Sequence, residues 1–197
     1  MRVLAMLAVL TLIAGPGYAT SLTVSLIPCG PVPGEVLAYL EEGLRREFGA
    51  EVRREKPVTV PASAYAPKRR QYLANAFPEL VAPVGPGRRH LALVITDVDL
   101  YVPTLNFVFG LADLRRGAAV VSLARLDPRF YGQASNPKRL HERALKEAVH
   151  ELGHLLGLGH CANPACIMFF SNTLADTDRK GPGFCPACRR QLEALLK

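Results

Sequence analysis

Three of the chain's five histidines fall within eleven residues, at His150, His154 and His160, with Glu151 beside the first. His150 and His154 are four apart, which on a helix puts both imidazoles on one face about one turn from each other. From there both rings can reach a single ion at ~2.0–2.1 Å, a distance that suits zinc. Glu151 projects ~100° further round the helix. It can therefore address a water at the metal without being a ligand. That is the general-base role in an H-E-x-x-H arrangement, acting on a water whose pKa zinc lowers toward ~7. Gly157, three residues after His154, is where the helix must stop and redirect the chain, since glycine reaches the left-handed conformation without a Cβ penalty. The turn can bring His160 back as a third imidazole, leaving one position open, the mark of a catalytic zinc site. H-E-x-x-H alone also arises as an exposed His/Glu face on ordinary amphipathic helices. Gly157 and His160 at these offsets turn it into a catalytic-metal pattern. His90 and His141 read as a strand-end residue and a solvated helix face. Tyr101 and Tyr131 are oxyanion-stabilising candidates by residue type alone.

The next residue begins a different set of ligands. Cys161-x4-Cys166 is followed by Cys185-Pro-Ala-Cys188, two close pairs separated by a loop-rich stretch. Four thiolates so spaced read as a closed tetrahedral structural zinc site that pins a region with little apolar content. Two other readings compete. Cys-Pro-Ala-Cys resembles a redox pair, but no strand precedes it as a βαβ redox motif requires. Disulfides become credible in an oxidising compartment. Cys29 stands apart and reads as a small buried hydrophobe.

The formal net charge is +7, from 18 Arg and 6 Lys against 17 acidic residues. Four thiolates and two zinc ions cancel, so filling both sites leaves the charge near +7. The Arg doublets are scattered along the chain, which fits solvated faces rather than a nucleic-acid surface. Nucleic acid is not an expected partner, and a monomer is the default expectation.

The elements that must position these ligands can be read from periodicity. At 197 residues, 49% apolar and 21% charged, the chain suits one domain with a real core. Residues 21–28 read as a buried strand, and 34–49 as a helix with Gly49 as its stop. Residues 50–60 read as a strand and 67–84 as a helix broken near Pro78. Residues 90–102 form the strongest strand pattern, and 105–113 and 117–126 read as two more strands joined by a turn at 114–116. Residues 135–159 form a long helix, capped by Asn136 with Pro137 at its first position, that runs straight into the histidine motif. Residues 169–184 read as loop and 185–197 as a short closing helix. Interleaved strands and helices predict an α/β domain with a mixed twisted sheet, a long active-site helix and a small zinc-stapled C-terminal part. The division falls at 20–157 and 158–197. Residues 1–19 read as a signal peptide: Arg2, an apolar run from Val3 to Ala14, a Gly-Pro-Gly breaker, and cleavage after Ala19. The run is too short for a membrane span, which needs ~20 residues. Export to the periplasm or outside the cell follows if that leader is real; otherwise the chain is cytoplasmic.

The pattern H-E-x-x-H-x-x-G-x-x-H-C-x4-C-x-M with a distant C-x-x-C resembles the archaemetzincins, a branch of the metzincin metallopeptidases. His150, Glu151, His154, Gly157, His160, Cys161, Cys166, Met168, Phe184, Cys185 and Cys188 carry the resemblance, and 64–74 and 96–110 extend it. It implies a metzincin-type domain with a catalytic zinc on His150, His154 and His160, and Glu151 as general base. It also implies that Met168 packs below the three imidazoles as the Met-turn, and that a second zinc sits on Cys161, Cys166, Cys185 and Cys188. Residues 105–113 would be the edge strand, along which an extended peptide or protein substrate pairs. The expected activity is zinc-dependent hydrolysis of peptide bonds. The alternative is a non-hydrolytic zinc protein whose basic surface binds a partner or nucleic acid. Glu151 weighs against that, because a structural histidine site has no need of a carboxylate there.

Overall fold

In the computed structural model, which describes residues 22–82 and 89–196, the chain runs in the order β1 (Thr23–Cys29), α1 (Gly34–Phe48), β2 (Glu51–Arg54), β3 (Tyr65–Ala66), β4 (Gln71–Leu73), β5 (His90–Thr96), β6 (Leu100–Tyr101), β7 (Gly110–Asp113), β8 (Ala118–Ser122), α2 (Pro137–Leu155), α3 (Leu174–Arg179) and α4 (Pro186–Leu195). The two most continuous apolar runs, β1 and β5, pair in parallel at the centre of the main sheet, as strands buried on both faces do. Its order is β2-β1-β5-β8-β7, with β7 antiparallel to β8 and every other pairing parallel. The sheet is thus mixed, as the sequence predicts. A smaller sheet, β3-β4-β6, lies beside it.

One face of the main sheet is covered by α1 and α2. Leu26, Leu93 and Val121 from the sheet meet Leu40 and Leu44 of α1 and Ala148, Val149 and Leu152 of α2, all fully or almost fully buried. Cys166, Met168, Cys188 and Leu192 join the same cluster, so the C-terminal segment packs into the main core. The other face carries a second cluster that includes Ile27, Phe77 and Val94. Cys29 lies inside it, with burial pushing its thiol up to about 11. It is the small buried hydrophobe its sequence context suggests.

Several expected elements are altered. Residues 67–84 do not form a helix. Arg70 sits at φ 56°, and the amides of Arg69 and Arg70 both bond to Ala66 O, which closes a turn. The chain then forms β4 and two isolated 3-10 turns at Ala74–Ala76 and Pro78–Leu80; positions 83–84 lie outside the described residues. The run 90–102 divides into β5 and β6, which belong to different sheets. Only 110–113 of the segment 105–113 is strand, because Arg69 Nη2 takes the carbonyls of Leu105 and Asn106 at 3.0 Å and holds them in a loop. The strands expected over 50–60 and 117–126 are likewise shorter, at β2 and β8. Within the expected loop 169–184, Thr173 and Asp176 form a reciprocal capping box that starts α3. The expected leader, 1–19, lies outside the described residues. Among those described, no helix is long and apolar enough to cross a membrane.

The long helix α2 begins as read. Asn136 Oδ1 accepts from the Arg139 amide at 3.0 Å, and Pro137 follows. Asn136→Ala removes this cap and should cost about 1 kcal/mol, lowering Tm by about 2–4 °C. Zinc content should not change, because the cap lies at the opposite end of α2 from the histidines; calorimetry and metal analysis check this.

Candidate metal centres

The C-terminal end of α2 sets the first centre. His150, Glu151 and His154 lie in its last turns, and His150 and Glu151 are buried beneath the β7 edge of the sheet. The helix ends in a Schellman turn: the Leu158 amide bonds to Gly153 O at 2.9 Å, the Gly157 amide bonds to His154 O at 2.8 Å, and Gly157 takes φ 99°. That reversal returns His160 to the other two rings, with centroids 5.4 Å from His150 and 4.8 Å from His154. The ligand atoms of the three histidines lie within 4.8 Å of one another.

Their protons can be placed from their partners. His150 Nδ1 lies 2.9 Å from Ile167 O, and His154 Nδ1 lies 2.9 Å from Leu158 O. A carbonyl oxygen only accepts, so each Nδ1 carries the hydrogen and donates. Burial, foremost, makes all three imidazoles harder to protonate than free histidine, lowering His150 to about 2. Each Nε2 of the helical pair is then a bare lone pair, yet the two Nε2 atoms face each other at 3.1 Å. Two such lone pairs repel unless a cation lies between them. Ligands on ~2.0–2.1 Å bonds to one tetrahedral ion stand about 3.4 Å apart, close to what is seen. The donor set therefore fits a divalent metal, and the carbonyls of Ile167 and Leu158 are the outer partners that fix the tautomers.

Two glycines make room around these side chains. A Cβ at Gly110, the first residue of β7, would stand 2.6 Å from Glu151 Oε1. A Cβ at Gly153, between the two helical histidines, would stand 2.5 Å from Met168 Sδ. Met168 is fully buried, with its sulfur against the ligand-bearing turn of α2. Burial, then the charge of Glu147, pushes the Glu151 carboxyl up to about 8, with Lys180 acting in the opposite direction. The cleft above is walled by Leu105, Phe107, Val108, Phe109 and Phe170, with Glu147, His150 and Glu151 also lining it. The Phe170 ring stands 4.8 Å from that of His160.

The second centre begins at the next residue. The Sγ atoms of Cys161, Cys166, Cys185 and Cys188 all lie within 4.8 Å of one another, and none is in a disulfide. Cys161 and Cys185 Sγ stand 3.9 Å apart. Four sulfurs on ~2.3 Å bonds to one tetrahedral ion stand about 3.8 Å apart, so the spacing suits a shared ion. The Cys185 amide donates to Cys166 Sγ at 3.3 Å. The Cys188 amide, at the start of α4, lowers the Cys185 thiol to about 7, which favours a thiolate. The two centres share a frame: the Cys161 amide bonds to Met168 O, and the Ile167 amide bonds to Gly183 O.

The structure thus brings together every ligand candidate read from sequence. It leaves the tyrosines elsewhere: Tyr131 Oη donates to Arg125 O at 3.1 Å, Tyr101 lies under the Arg69 guanidinium, and neither lines the cleft. His90 Nε2 contacts Ser25 Oγ and His141 packs on Tyr39, so both stand outside the centres. Sequence reading missed Gly110, Gly153 and Glu147, although the last two occupy visible helical offsets from the histidines. It also missed Lys180, for which no local signal exists.

A mixed sheet with its helix-borne imidazoles and buried carboxylate at an edge strand defines a zinc metallopeptidase. A model of peptidase family M54 matches residues 89–194. The archaemetzincin of Pyrococcus furiosus is 43% identical over 177 residues, 87% of this chain and 92% of that protein. The crystal structure of archaemetzincin from Methanopyrus kandleri matches with a TM-score of 0.78 at 37% identity, covering 92% of this chain and 98% of that one. A zinc-dependent peptidase from Methanocorpusculum labreanum matches with a TM-score of 0.75 at 34% identity, covering 86% and 99%. The chain belongs to peptidase family M54, the archaemetzincins.

Gly110→Ala should displace the Glu151 carboxylate. Peptidase kcat should fall at least tenfold, about 1.4 kcal/mol, with bound zinc unchanged, as read by steady-state kinetics beside metal analysis. Loss of zinc together with activity would instead show that the glycine serves the ligands.

Proposed function

We propose that this metallopeptidase holds its catalytic zinc on His150, His154 and His160, uses Glu151 as general base, and carries a second, structural zinc on Cys161, Cys166, Cys185 and Cys188. The observation that carries the reading is the pair of Nε2 atoms facing each other at 3.1 Å beside a buried carboxylate, while each ring's Nδ1 is taken by a backbone carbonyl. Zinc bound there supplies a Lewis acid that polarises a peptide carbonyl and eases deprotonation of water. Glu151 takes the proton from the attacking water and passes it to the leaving amine. A carboxyl raised by burial is a stronger proton acceptor than a solvated one, which suits both halves of that transfer. Ile167 O and Leu158 O hold the ligand imidazoles in register, and Met168 fills the space against Gly153. β7 lies at the end of the sheet, and Gly110 at its start touches Glu151, so an extended peptide pairing along β7 would pass over the base.

The close thiol cluster supports zinc over two disulfides, since all four sulfurs lie within 4.8 Å of one another and none is in a disulfide. It anchors the segment that carries His160, Ile167 O and Met168. We carry the leader into this reading as well: cleavage after Ala19 and export of a monomeric peptidase.

Metal analysis should find two zinc per chain. Glu151→Ala should retain both and lose detectable cleavage of a diverse peptide library. Cys161→Ser should lose the thiolate zinc and also weaken the imidazole zinc. If the imidazole zinc binds unchanged in that variant, the anchoring role is wrong. Mass spectrometry of the chain purified from its source cells should find Thr20 at its N-terminus; an intact Met1 would count against cleavage and export.

A further inference from the structure

A fully buried ion pair lies one helical turn from the catalytic carboxylate, and nothing in the reaction described above uses it. Glu147 precedes Glu151 by four residues on α2, lines the same cleft, and is 2% exposed. Lys180, just past α3, is also 2% exposed, and its Nζ stands 3.0 Å from Glu147 Oε1. Thr177 Oγ1 donates to the same oxygen at 2.9 Å. Lys180 Nζ makes this contact as an ion pair without a well-aligned hydrogen bond, so its other donors stay unused among the described residues. Burying such a pair costs several kcal/mol per ion in lost hydration, and well-packed apolar residues often replace such pairs at no loss of stability. An ammonium this poorly hydrogen-bonded is better explained by its charge than by its bonding.

The charge has an evident place to act. Without Lys180, the cleft that His150 also lines would hold two buried carboxylates, Glu147 and Glu151, one helical turn apart. Without Glu147, an unpaired buried cation would face the position of a divalent metal. We propose that Glu147 and Lys180 are a charge-balancing pair of positioning residues. On this proposal Lys180 neutralises Glu147, which leaves Glu151 as the one uncompensated carboxylate at the metal site and sets how tightly the three imidazoles hold their ion. The proposal rests on the zinc reading above.

The test is the affinity of the imidazole site for Zn2+ alone, measured by competition with a chelator too weak to strip the thiolate zinc. It is run on wild type, Glu147→Gln, Lys180→Met and the double variant. Retained thiolate zinc reports that each variant is folded. Glu147→Gln leaves the cation unbalanced and should weaken binding about tenfold; Lys180→Met leaves the anion unbalanced and should tighten it about tenfold. The double variant should return to within about threefold of wild type, because the two lost charges act on the ion in opposite directions. Lys180→Arg should behave as wild type. A merely structural tie would make both single variants bind more weakly, with no recovery in the double, and that result overturns the proposal. If Lys180→Met does not fold, weaker binding in Glu147→Gln with recovery in the double variant still supports it, and no recovery overturns it. Wild type that takes up no imidazole zinc at all would instead sink the catalytic-zinc reading, a distinguishable failure.

Discussion

The site depends on one constraint, two imidazole Nε2 atoms brought to within 3.1 Å of each other. The α-helix supplies the spacing, but spacing alone leaves each ring free to flip or to turn its proton toward its neighbour. Two carbonyls remove that freedom, Ile167 O for His150 and Leu158 O for His154. Leu158 O is available because Gly157 reverses the chain immediately after the helix. Ile167 O is available because its segment is held by Cys166 on one side and by the Gly183 carbonyl on its own amide. The orientation of the first helical histidine is therefore decided inside the cysteine-bearing segment, seventeen residues downstream of it.

The same dependence explains why α2 is tied to the C-terminal segment by polar contacts as well as apolar ones. Arg143 forms a two-pronged pair with Asp178 at 2.7 Å on each arm and gives a third donor to Leu126 O. Lys146 Nζ reaches the carbonyls of Thr177 and Asp178, both at 3.0 Å. Glu147 Oε1 accepts from Thr177 Oγ1 at 2.9 Å. Three positions within two turns of α2 thus fix the short helix α3. Apolar packing tolerates sliding, whereas charged hydrogen bonds of defined geometry do not. This seam sets the register between the helix that carries two imidazoles and the segment that carries their outer partner.

The sequence made the ligands legible because metal chemistry imposes residue types at fixed offsets, and those offsets survive without knowledge of the rest of the fold. Long periodic elements were legible for a related reason: β1, β5, α1 and α2 are long enough for their apolar period to be unambiguous. Short elements were not. β4, β6 and the loop ahead of β7 are decided by Arg69, which reaches across the fold to the Leu105 and Asn106 carbonyls, and by Arg70 in the left-handed region. Neither residue announces this locally. Lys180 was illegible too, since a lysine in a polar loop reads as solvated until its burial against α2 is known. Gly153 and Gly110 matter through the space they leave, which a sequence records only as small residues.

The contact between β7 and Glu151 also says where this peptidase can and cannot choose among substrates. At the point on the edge strand that lies against Glu151, the chain contributes only backbone, because a side chain there would collide with the carboxylate. A strand that presents bare backbone recognises extension and direction but not residue identity. On the proposed pairing along β7, discrimination falls to the flanking walls, where Leu105 and Phe170 stand exposed and Phe107 lies half-buried beside them. Selectivity can drift by exchange of those apolar residues while the hydrolytic centre stays untouched, so in this architecture what is cut and how it is cut are encoded by separate positions.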